Sequence, residues 1–165
     1  MQGATRARSE RIRIGGILFW CNLARLGVMN AQDRPGLAAE IFATLGRKGI
    51  NVPFIVQNID LQQQAQVVFC VAAEDSEAAL EALKPLQPQL GAAGIIEEPE
   101  VAIVAIFGPD FRERAGIAGT MFAALASAGI NILAISTSIS TVSCLIRQED
   151  LRRAMAVLET TFELP

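Results

Sequence analysis

The sequence predicts an α+β chain built from two copies of one βαββαβ unit, each an antiparallel sheet with its helices on one face. Three observations carry this. Residues 34–57 (RPGLAAEIFATLGRKGINVPFIVQ) and 114–137 (RAGIAGTMFAALASAGINILAIST) align without a gap 80 positions apart, with Arg34/Arg114, Gly36/Gly116, Ala38/Ala118, Phe42/Phe122, Leu45/Leu125, Gly49/Gly129, Ile50/Ile130, Asn51/Asn131 and Ile55/Ile135 coincident. A second match follows 75 positions apart, pairing Glu74-Asp75 with Glu149-Asp150, Ala79 with Ala154 and Leu83 with Leu158. Within each copy the apolar period switches between strand-like and helix-like in the order strand, helix, strand, strand, helix, which is the split β-α-β arrangement. Two copies make a pair of domains; a solenoid needs about three or more.

Each element has a local reason. Residues 24–29 form a short apolar strand with Arg25 expected to face water. Ala31-Gln32-Asp33-Arg34-Pro35 is turn chemistry: Asp33 is expected to cap the next helix and Pro35 to sit near its first turn. Leu37, Ile41, Phe42 and Leu45 recur at helical spacing, and Gly49 ends the helix. Residues 51–57 and 65–72 read as strands, with Pro53 placing the first at an edge or bulge. Ala79, Leu80, Leu83 and Leu86 line one face of a helix over 76–86, closed by Pro85, Pro88 and Gly91. The second copy predicts a strand over 101–107, a loop over 109–115 and a helix over 116–128 ended by Gly129. Strands over 131–137 and 142–147 and a helix over 149–162 complete it. Residues 91–99, rich in Gly, Pro and Glu, read as a linker, and 1–10 as a mobile lead-in. Each unit lacks a fourth strand; 95–98 and 12–18 are the candidates.

Composition narrows the function. The chain has 165 residues, 52% of them hydrophobic; at this size roughly two-thirds of the surface can be buried. A net charge of -3 argues against a nucleic-acid partner, which needs a basic face. The longest apolar stretch, 12–29, is interrupted by Arg13, Asn22 and Arg25, so no membrane span is expected and a cytoplasmic location is. Cys21, Cys70 and Cys144 are odd in number and far apart, which predicts buried thiols rather than disulfides or a zinc site. The chain has no histidine and no tyrosine, which removes Ser-His-Asp and Cys-His catalysis and histidine metal sites. It has neither a GxxxxGK(S/T) nor a GxGxxG loop. Acidic residues fall at helix starts, and Glu97, Glu98 and Glu100 read as a solvated cluster in the linker. No catalytic residue, metal or cofactor is expected.

One constellation remains. Pro35-Gly36-Leu37-Ala38 and Ala115-Gly116-Ile117-Ala118 open equivalent helices. A helix start presents unpaired amides and a positive dipole end, and glycine lets a ligand approach the backbone. A small carboxylate fits there. Asp33, one turn earlier, could take an ammonium group, so the pair suits an α-amino acid; plain capping by Asp33 is the competing role.

These residues resemble the tandem ACT domains of aspartate kinase. Asp33-Arg34-Pro35-Gly36, Ala38-Ala39, Ile41-Phe42, Ile50-Asn51-Val52 and Ile55-Val56-Gln57-Asn58 are similar to the first domain. Gly116-Ile117-Ala118, Met121-Phe122, Ala128-Gly129-Ile130-Asn131-Ile132 and Ile135-Ser136-Thr137-Ser138 are similar to the second, and the resemblance covers residues 12–164. It implies two ferredoxin-like domains, the first inserted into the second: 23–97 as the first, 12–22 with 98–165 as the second, and 1–11 as a lead-in. It implies a regulatory β subunit or regulatory portion that lacks the kinase domain, forms a homodimer, works on an aspartate kinase catalytic subunit or domain, and binds threonine, with lysine as a further candidate. The implied effector residues are Asp33, Gly36, Ala38 and Gln57, with Asn131 and Ile132 from a second domain, and Ser136, Thr137 and Ser138 in a further effector region. Three departures stand out. Ile139 replaces the family's glutamate, which removes a charge partner for lysine. Ala115 replaces a proline. Phe19-Trp20-Cys21 replaces a polar segment between the early strands. A free-standing tandem ACT protein regulating another enzyme or a transcriptional system is the alternative, and an assembly module without ligand is a third reading.

Overall fold

The structure, a computed structural model, describes residues 11–165; the lead-in expected over 1–10 lies outside them. Six strands form one antiparallel sheet in the order β2-β3-β1-β4-β6-β5. They are β1 (Gly16–Gln32), β2 (Phe54–Ile59), β3 (Gln64–Ala72), β4 (Gly94–Phe107), β5 (Ala134–Thr137) and β6 (Thr141–Arg147). The helices are α1 (Leu37–Arg47), α2 (Ser76–Leu83), α3 (Ile117–Ser127) and α4 (Leu151–Thr161). Short 3-10 turns at Ala73–Asp75, Lys84–Leu86, Pro109–Arg112 and Gln148–Asp150 take up parts of the expected helices and loops.

Both candidate fourth strands are used. β1 and β4 are long and run beside each other through both repeats. Gly16–Trp20 pairs with Ile103–Phe107 in the half that also holds β6 and β5, and residues 25–29 pair with 94–98 in the half that holds β3 and β2. The stretch read as a linker is therefore mostly strand. Its Gly, Pro and Glu content, which mimics a loop, is also what an edge strand carries.

The switch between halves is a pair of irregularities. The register shifts between Trp20 and Leu23 in β1 and again between Leu23 and Arg25, where β4 carries the extra residue. Asn22 and Glu100 sit there with φ of 56° each. One extra residue on each strand keeps the same face of the sheet towards the helices across the junction. Ala24, Leu26 and Val28 accordingly pack with α1 and α2, and Ala102, Val104 and Ile106 with α3 and α4. A third cluster, Leu23, Phe54, Cys70, Val101, Ile103 and Leu145, lies on the helix-free side. It draws on both halves, and β2 contacts β5, so the sheet folds back with its helix-free faces together.

Helix ends follow the repeat. Gly49 and Gly129 have φ of 72° and 70°. Ile50 N–H reaches Leu45 O at 3.1 Å and Ile130 N–H reaches Leu125 O at 3.0 Å, closing both helices with the same glycine-dependent motif.

Four local expectations are corrected. Asp33 does not cap α1: the cap residue is Gly36, with φ of 94°, and no side chain caps the helix. Arg25 does not face water, because Glu98 holds it at 3.2 Å. Glu98 is not solvated, because it also lies 3.1 Å from Arg147, whereas Glu97 stays exposed while accepting the Ser76 hydroxyl and Glu100 is exposed. Cys70 and Cys144 are buried, but Cys21 is exposed.

Candidate functional site

The Asp33–Ala38 loop is built by its glycine. With Gly36 in the left-handed region, the chain enters α1 without a side-chain cap. Leu37 N–H bonds Arg34 O at 3.3 Å and Glu40 N–H bonds Gly36 O at 2.9 Å, which leaves the Ala38 and Ala39 amides without a backbone acceptor among the described residues. Arg34 folds over the loop to Glu40 at 2.8 Å, so its charge is already matched. The Asp33 side chain is exposed and, among the described residues, makes no hydrogen bond or ion pair. A negative group and two free amides thus stand at one helix start, complementary to a group with both a cation and a carboxylate. Gly116 repeats the geometry at α3, with φ of 89° and Thr120 N–H on Gly116 O at 2.9 Å.

The remaining sequence-predicted residues lie on the edge strands. Gln57 is exposed on β2 opposite Val67. Asn131 is exposed and Ile132 half-buried just before β5. Ser136 and Thr137 are in β5, and Ser138 N–H bonds Thr141 O at 2.8 Å in the following hairpin. Because β2 contacts β5, the fold brings the strand bearing Gln57 to the strand bearing Ser136 and Thr137. The structure does not gather all nine residues round one cavity. One cleft, of about 420 Å³, lies between Glu100, Arg147, Gln148 and Glu149, and another, of about 470 Å³, runs from Ala39 and Glu40 along Ala43, Arg47 and Leu86.

Sequence reasoning missed the polar junction between the halves. Arg25 and Arg147 flank Glu98, and Asn22 N–H donates to Gln148 Oε1 at 2.6 Å. Arg25 Nε is buried and forms no aligned hydrogen bond, its tie to Glu98 being one of charge and proximity. The available signal was an arginine inside an otherwise apolar strand, which calls for a partner acid.

Among the described residues no helix is long and apolar enough to cross a membrane, and no group of three or more Cys, Asp and Glu could hold a metal ion. Burial pushes the thiols of Cys70 and Cys144 up to about 12, which keeps both protonated and inert.

Known proteins resemble this chain in sequence and in shape. Residues 25–87 and 104–162 each match a family of ACT domains. The chain is 38% identical over 155 residues to an aspartokinase of Pseudomonas aeruginosa, covering 94% of this chain and 38% of that protein. It spans 38% of the length of several such curated relatives. It superimposes on the regulatory subunit of aspartate kinase from Thermus thermophilus in its ligand-free form with a TM-score of 0.82 and 32% identity, covering 91% of this chain and 99% of that one. The regulatory subunit from Thermus flavus gives a TM-score of 0.83 at 31% identity, covering 92% and 99%. Duplicate ACT units on one sheet, with identity across the full length of a regulatory subunit, place this chain in the aspartokinase family as its tandem ACT regulatory region.

Proposed function

We propose that this chain senses an end-product amino acid and passes that signal to an aspartate kinase catalytic part. The carrying observation is the exposed Asp33, three residues before Gly36, at a helix start whose Ala38 and Ala39 amides have no backbone acceptor among the described residues. Asp33 takes the ligand ammonium, and the amides behind Gly36 take its carboxylate. Gln57 and Asn131 supply amides to a side-chain hydroxyl, with Ile132 beside them and Ser136, Thr137 and Ser138 as a further region. This set suits threonine. Lysine brings a second cation, and Ile139, 63% exposed where the family has an acid, does not pair with it. The domain division 23–97 and 12–22 with 98–165 goes with this reading and is supported by the pairing of Gly16–Trp20 with Ile103–Phe107.

The site is completed by a homodimer in which ACT units lie side by side. α3 supports this. It has no charged residue, yet Gly119, Ala123 and Ala126 are exposed on it. A helix apolar all round is normally covered. Ligand trapped between chains shifts the catalytic part only through its different affinity for two arrangements.

Calorimetry with threonine and with lysine, on the wild-type chain and on Asp33→Ala, tests the reading. Threonine should bind the wild type and bind Asp33→Ala much more weakly. Binding of lysine alone reverses the ligand assignment. Binding of neither favours an assembly module. Co-purification with an aspartate kinase catalytic portion separates this function from that of a free-standing regulator in the same reducing, cytoplasmic setting.

A further inference from the structure

We propose that Gln66 is a positioning residue for the effector site: it bridges Asn30 and Asp60 and so fixes the spacing of the two arms that carry Asp33 and Gln57. The inference rests on the reading of Asp33 and Gln57 as effector contacts.

The first arm leaves β1 through a bulge. Val28 stands opposite Val67 and Ala31 opposite Ala65, so Met29 and Asn30 together face Gln66. Leu26, Val28 and Ala31 all enter the core under α1 and α2. An unbulged strand could not bring them there, because its side chains alternate between faces. Asn30 has φ of 50°, in the left-handed region that asparagine enters more readily than most residues. Asp33 follows three residues later. The bulge therefore sets the direction in which the chain leaves the sheet for the start of α1.

The second arm is the β2–β3 hairpin, where Asp60 follows Gln57 by three residues. Asp60 Oδ1 accepts Gln62 N–H at 2.9 Å and Gln64 N–H at 3.0 Å. Gln64 N–H foremost holds the Asp60 carboxyl below the usual carboxylate range, so it is ionised at neutral pH. Its other oxygen accepts Gln66 Nε2 at 3.1 Å.

Gln66 closes the bridge. Its Oε1 accepts Asn30 N–H at 2.9 Å, and its Nε2 donates to Asn30 Oδ1 as well as to Asp60. Ala65 and Val67 on either side are buried in the core, which holds the half-buried Gln66 on the opposite face of β3. Asn30 is exposed. Water would satisfy its polar groups, so what three directed bonds add is fixed geometry at the base of both arms, the support a binding site needs from residues behind it.

The second unit lacks this strut. Glu113 stands at the place of Asp33 and Ser140 at that of Asp60, while residues 61–65 have no counterpart. Thr141 takes the place of Gln66. There the gap is closed by main chain, with Gly108 N–H on Ser140 O at 3.0 Å. The loop before α3 is thus an internal control for any change at Gln66.

Gln66→Met keeps the length of the side chain and removes the amide. In calorimetry it should weaken threonine by roughly three- to tenfold, the scale of the ordering cost that preorganisation removes. In ligand-free hydrogen exchange it should speed the amides between Ala31 and Leu37 by about tenfold and leave those between Glu113 and Ile117 unchanged. Asn30→Gly keeps the left-handed backbone and removes only the Oδ1 half of the clamp, so it should move both readouts the same way by less. Gln64 is exposed and its side chain makes no hydrogen bond among the described residues, so Gln64→Ala should move neither. A clamp that serves folding alone lowers stability in urea and leaves the threonine affinity of the folded chain unchanged; that result, or unchanged exchange, overturns the proposal. Asp33→Ala measured alongside separates the two levels. If it weakens threonine and Gln66→Met does not, the positioning role fails by itself. If it does not weaken threonine, the effector reading fails and the positioning role with it.

Discussion

At the start of α1 an acid that looks like a helix cap makes no hydrogen bond or ion pair among the described residues. Asp33 is exposed and the cap position belongs to Gly36. Removing it should therefore leave folding almost unchanged, within about 0.5 kcal/mol as for other surface substitutions. A charged hydrogen bond to a ligand contributes roughly 1.5–3 kcal/mol, so Asp33→Ala should weaken threonine about tenfold or more. Urea unfolding and calorimetry on the same preparation check both halves, and a loss of stability with normal binding would sink the assignment. Thiol chemistry divides as sharply. Burial raises the Cys70 and Cys144 thiols to about 12, whereas Cys21 is exposed. At neutral pH an alkylating reagent should label Cys21 alone in the folded chain and all three cysteines in denaturant, as read by mass spectrometry.

At the level of elements, β1 and β4 carry the architecture. Each serves both halves, and the paired bulges at Asn22 and Glu100 let them do so without turning core residues to the wrong side. The junction is held by Glu98, whose two oxygens lie 3.2 Å from Arg25 and 3.1 Å from Arg147. Its side chain and that of Arg25 are only about a fifth exposed. Glu98→Gln keeps the shape but leaves Arg25 without its counter-charge. It should destabilise the chain by about 1–3 kcal/mol, while Glu77→Gln on the exposed side of α2 should change little. Chemical denaturation of the two variants makes the comparison.

For the whole molecule, a ligand that binds only the folded assembly raises its stability by mass action. At about 100 times its dissociation constant the gain is roughly 2.7 kcal/mol, several degrees for a chain of this size. Threonine should raise the melting temperature by that amount at fixed pH and protein concentration. Lysine should not, because an unpaired buried ammonium costs several kcal/mol and Ile139 offers it no charge. A thermal scan with each amino acid at millimolar concentration decides, and a shift with lysine alone reverses the assignment.

Sequence by itself determined the duplication, the helices and their glycine ends, because these depend on contacts within a few residues: apolar period sets the helix face, and the conformational freedom of Gly49 and Gly129 ends each helix in the same way. The loop at Asp33, Gly36 and Ala38 was legible for the same reason, though which residue caps α1 was not, since that turns on the φ of Gly36 rather than on residue type. Tertiary structure alone decided which strands pair. Residues 12–18 and 95–98 have no neighbour within their own stretch of chain, and a run of Gly, Pro and Glu looks the same in a linker and at a sheet edge. It alone set Glu98 between two arginines from different strands and brought β2 to β5. Backbone hydrogen bonding across a sheet and the pairing of charges act between atoms far apart in sequence, so their partners exist only once the chain has folded.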